Sequence, residues 1–148
     1  MRSFKLLTAT GLALLALVFL ASPTPSQAQE PRYLHALSNL RQARAYLNFD
    51  RNPNTADARH HAVDLIDRAI NEVKEAAHDD GRDTNFAPPP DFRAEGGGAV
   101  LSAQKLLQAA YEDIKFGQDR PENGGLQNRA YKYIDEAIRT CHNIGAGR

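Results

Sequence analysis

Small and branched apolar side chains recur every three to four residues along residues 58–76, at Ala58, Ala62, Leu65, Ile66, Ala69, Ile70, Val73 and Ala76. This 3.6-residue period commits the stretch to an amphipathic helix. Three further stretches carry it. Residues 31–50 place Tyr33, Leu37, Leu40, Ala43 and Leu47 on one side, behind Pro31, a favourable first-turn residue. Residues 99–116 repeat the pattern with Leu101, Leu106, Leu107, Ala110, Tyr111 and Ile114. A last stretch starts near Leu126 and aligns Ala130, Tyr133, Ile134, Ala137, Ile138 and Cys141 before Gly145. Nowhere do β-branched residues alternate with polar ones over a strand's length, so the predicted class is all-α.

The punctuation between these stretches organises them. Asp50-Arg51-Asn52-Pro53-Asn54-Thr55 is rich in helix breakers, and Asn54 or Thr55 is the expected cap of the second helix, with Asp57 in its first turn. Asp64 and Arg68 form an i,i+4 pair on its polar side, and Gly81 is its expected stop. Residues 79–98 hold three consecutive prolines and three consecutive glycines, which excludes a helix interior or a central strand. Connections this long are uncommon in a compact domain, and Phe86 and Phe92 favour one that packs.

The spacing also suggests a duplication. Ala62, Ile66, Asp67, Ala69 and Ile70 recur as Ala130, Ile134, Asp135, Ala137 and Ile138, offset by 68 residues. At an offset of 67, Leu34, Ala36, Leu40, Ala43 and Leu47 fall on Leu101, Ala103, Leu107, Ala110 and Ile114, a looser match. The expectation is a four-helix bundle built from two helical hairpins, residues 31–80 and 99–145, joined by the 79–98 connection.

The first 28 residues read differently. Arg2 and Lys5 precede an apolar run over residues 12–20, and Ser26-Gln27-Ala28 is a small-x-small cleavage site. The run is shorter than the roughly 20 residues a transmembrane helix needs, so a cleaved signal peptide is expected, with no stable membrane anchor after cleavage. The product would be periplasmic or extracellular, a single domain over residues 29–148. Of 18 basic and 18 acidic side chains the signal removes only Arg2 and Lys5, leaving 16 basic against 18 acidic. Without a basic excess there is no footprint for nucleic acid or an anionic membrane. Cys141 is the single cysteine, so an intrachain disulfide is excluded and packing must hold the fold.

The five histidines are the one chemical lead. Metal sites in bundles are built from His and carboxylates on facing helices, and His60 with Asp64 has the spacing that puts two ligands on one helix face. The candidate metal set is His60, His61, Asp64 and His35. With its export signal, four short helices, hairpin repeat and the signatures His60-His61-Ala62-x-Asp64 and Ile66-Asp67-x-Ala69, the chain resembles the small periplasmic metal-binding four-helix-bundle proteins. It departs from them in having only five histidines. The resemblance implies a divalent metal such as Cu, Ni or Zn.

The other polar residues read as structural. Asp67 and Asp135 occupy matching places, with Asn71 and Arg139 as i,i+4 partners that account for them without catalysis. Cys141 lies on the apolar side and is expected to be a small buried hydrophobe. The tyrosines at 33, 46, 111, 131 and 133 read as core or groove residues. Phosphate loops, dinucleotide fingerprints and nucleophile elbows are absent. The expected function is that of an exported, non-catalytic bundle binding a protein or a small ligand, with divalent-metal binding as the alternative.

Overall fold

The computed structural model describes residues 32–79, 81, 83–85, 98–115 and 124–147. The expected export signal, most of the 79–98 connection and the turn after residue 115 lie outside the described residues. Those that are described form four helices: α1 (Arg32–Phe49), α2 (Ala56–Asp79), α3 (Ala99–Lys115) and α4 (Gly124–Gly145). No strand occurs among them. None of these helices is long and apolar enough to cross a membrane.

Local chemistry sets the ends. Asn52, not Asn54 or Thr55, caps the start of the second helical segment, its side chain accepting from the Asn54 backbone N–H at 3.1 Å. Pro53 then opens a 3₁₀ turn over Pro53–Thr55 that runs into α2. The proline lacks the N–H that the first turn would leave unpaired, so the cap shifts two residues upstream of the sequence expectation. At the other end of α2, Gly81 has a φ of +69° and donates its N–H to the His78 carbonyl at 2.8 Å. A left-handed residue here lets the chain turn away while satisfying a terminal carbonyl.

Cross-helix contacts give the topology. Arg44 on α1 meets Asp67 on α2, Glu72 and His61 on α2 meet Arg129 and Glu136 on α4, and Asn39 on α1 meets Asp113 on α3. Tyr111 on α3 stacks near Tyr131 on α4 at 5.0 Å, and Gln127 on α4 reaches Ile114 on α3. In each helix pair, rising numbers on one helix meet falling numbers on the other, or follow from the hairpins that do. The helices therefore run up, down, down, up. α1 and α4 each pack against both α2 and α3, which leaves α1/α4 and α2/α3 as the diagonals. The α1/α3 and α2/α4 seams between hairpins are more extensive than the seams within them.

This ordering explains the long connection. α2 ends and α3 begins at opposite ends of the bundle and on opposite corners, the one-crossover connectivity known for ferritin-like bundles. A tight turn cannot join such helices. The chain is already climbing α1 at Thr84, whose carbonyl accepts from the Arg41 guanidinium at 3.0 Å.

Alanines line the seams: Ala36, Ala43, Ala62, Ala69, Ala103, Ala110 and Ala137 are fully buried. Small side chains there let helix axes approach while Leu37, Leu40, Leu47, Ile66, Leu106, Leu107, Ile114 and Ile134 fill the centre. Most positions of the expected stripes are buried, with Ala58, Tyr111, Tyr133 and Ile138 half-buried and one position exposed. Leu101, assigned to the core from its spacing, is 48 % exposed, and Ser102 and Ala103 take the inward positions. The buried Ala103, Leu106, Leu107, Ala110 and Ile114 share one face of α3, and Leu101, two residues before Ala103, falls on the far side of the helix from it.

Candidate functional surface

The α2/α4 seam carries a line of charged and aromatic partners along its outer edge. Arg129 donates from Nε to Oε1 of Glu72 at 2.8 Å, and its Nη2 approaches Oε2 at 2.8 Å as an ion-pair contact that is not itself a hydrogen bond. A hydrogen bond between two charged groups of this kind is stronger than one between neutral groups. The Glu72 hydrogen bond holds the Arg129 guanidinium above its ordinary value, against a smaller opposing effect of desolvation. One turn further along, the Arg68 guanidinium lies over the Tyr133 ring at 5.9 Å instead of pairing with the Asp64 carboxylate expected from spacing. Next comes His61, whose Nε2 is 3.4 Å from Oε1 of Glu136. Both side chains are more than half exposed, a setting in which an ion pair contributes little to stability.

The candidate metal residues are thus split. His60, His61 and Asp64 all sit on exposed positions of α2, His60 and Asp64 one turn apart, and His61 alone finds a partner across the seam in Glu136. His35 is on α1. It lies nine residues before Arg44, while His60 lies seven before Asp67, and because the helices run oppositely the offsets add to about 24 Å along the bundle. His35 therefore does not join the other three. Among the described residues, no group of three or more His, Cys, Asp and Glu side chains is placed to hold a metal ion.

The matched aspartates differ in use. Asp135 pairs with Arg139 at 2.7 Å on its own helix, as its spacing implied. Asp67 instead accepts from Arg44 of α1 at 2.6 Å and ties the first hairpin together. Spacing within one helix could not reveal that partner, because it arrives from a neighbour.

Cys141 is fully buried on α4 and burial pushes its thiol up to about 12. A thiol held protonated is neither a nucleophile nor a metal ligand at neutral pH. The buried polar residues Ser38, Asn39, Ser102 and Gln127 went unrecognised in the sequence. Asn39 is fully buried between α1 and α3, and Gln127 donates to the Ile114 carbonyl at 2.8 Å, satisfying a carbonyl at the end of α3. Asn39 could have been found as the one amide beside the stripe Ala36, Leu40 and Ala43.

The opposite character appears at one end of the bundle. Phe49, the last residue of α1, is 78 % exposed, and Leu101 stands in the first turn of α3. Since α1 and α3 are antiparallel neighbours, both lie at the same end. They are the large apolar side chains left exposed among the described residues. Comparison with protein-family models, with curated proteins and with solved structures finds no match.

Proposed function

We propose that this chain is an exported, non-catalytic helical-bundle protein that acts by binding, and that a partner docks on the end bearing Phe49 and Leu101. The observation that carries the reading is the exposure of these two side chains at one end of a bundle whose other large apolar groups, among the described residues, are buried or half-buried. Covering such surface is worth about 25 cal/mol per Å², and aromatic anchors of this kind dominate interface energetics. The test compares proteins co-purifying with the wild type and with a Phe49→Asp, Leu101→Asp variant of unchanged helicity. Capture that disappears in the variant supports the reading, and equal capture overturns it.

Export is supported by the basic start, apolar run and cleavage site of residues 1–28. The intact mass of protein recovered from producing cells tests it, since retention of these residues would defeat the reading. A tandem origin of the hairpins is supported by matching burial, with Ala62 and Ala130, Ile66 and Ile134, Ala69 and Ala137, and Leu40 and Leu107 all essentially inaccessible. Leu34 and Leu101 break the match, the first buried and the second exposed.

A second reading, divalent-metal binding, is favoured by one observation. The 3.4 Å between His61 Nε2 and Glu136 Oε1 is long for a charged hydrogen bond, yet close to the roughly 3.3 Å ligand-to-ligand edge of a tetrahedral site with bonds near 2.05 Å. On this reading His61 and Glu136 are the chelating pair and His60 and Asp64 flank it. Isothermal titration with Cu²⁺, Ni²⁺ and Zn²⁺ tests it. Binding lost in a His61→Ala, Glu136→Ala variant upholds the pair, whereas flat titrations, or uptake unchanged by the substitutions, remove it.

A further inference from the structure

We draw no further inference here: the strongest candidate, the shallow groove of about 270 Å³ on the outer face of α3 between Lys105, Gln108, Ala109 and Glu112, is walled among the described residues by that one helix, and nothing in the structure shows what covers it.

Discussion

Asn39, fully buried on α1, donates from Nδ2 to Oδ2 of Asp113 on α3 at 3.1 Å, a polar bridge between the two helices. The bond fixes one height on α1 against one height on α3. A purely alanine and leucine seam tolerates a slip of one helical turn at modest cost, whereas a slip here would bury an amide away from its acceptor. The pair is thus a register device as much as a source of stability.

Replacing Asp113 by Ala withdraws this acceptor from a fully buried amide. The expected loss is about 1–3 kcal/mol of unfolding free energy, the usual cost of disturbing a buried polar partner. Urea denaturation of wild type and variant reads it directly. A variant as stable as the wild type would show that the bridge carries no energetic weight.

The up-down-down-up order places the last turn of α2 and the first turn of α3 at opposite ends. Spin labels on cysteines at His78 and Leu101, in a Cys141→Ala background, should be about 30 Å apart from the helical rise and the bundle diagonal. Double electron–electron resonance measures this separation. A distance near 10 Å would instead indicate the simple up-down-up-down order.

Leu101 and Leu107 were both assigned to the apolar stripe of α3, and the structure separates them. Leu107→Ala, at a fully buried position, should cost about 2–5 kcal/mol through lost burial and the cavity left behind. Leu101→Ala, at a 48 % exposed position, should change stability by no more than about 0.5 kcal/mol. Thermal melts of the two variants decide the matter.

Burial of Cys141 predicts a specific alkaline signature. The thiol stays protonated in the fold up to about 12, against an ordinary value of 9.0. Below pH 9 both states keep the proton and the group adds no pH dependence. Between pH 9 and 12 only the unfolded chain releases it, so stability falls as pH rises, by at most about 1.4 kcal/mol per unit. The difference between wild type and Cys141→Ala, measured by urea unfolding at pH 8 and pH 10, should narrow at the higher pH. In the native protein, Ellman's reagent should modify the thiol only after denaturant is added.

The α2 stripe was legible in the sequence because its apolar period is uninterrupted for five turns, and the burial of Ala62, Ile66, Ala69, Ile70 and Val73 follows it. Cys141 and the exposed His60 and His61 were legible for the same reason, since the angle around a helix decides which side meets the core. The cap at Asn52 was displaced from its expected place because Pro53 rewards a 3₁₀ start.

What the sequence determined by itself is therefore local: four helices, their inward faces, and a long break between the second and third. Only the tertiary structure decided which helices became neighbours, and with it that Arg44 answers Asp67, that Asn39 answers Asp113, that His61 meets Glu136 and that His35 stands far from both. The physical reason is that periodicity fixes a direction around one axis, while a partner depends on the relative height and orientation of two axes. Those were set by the packing of alanine seams and by a crossover that carries the chain from one end of the bundle to the other.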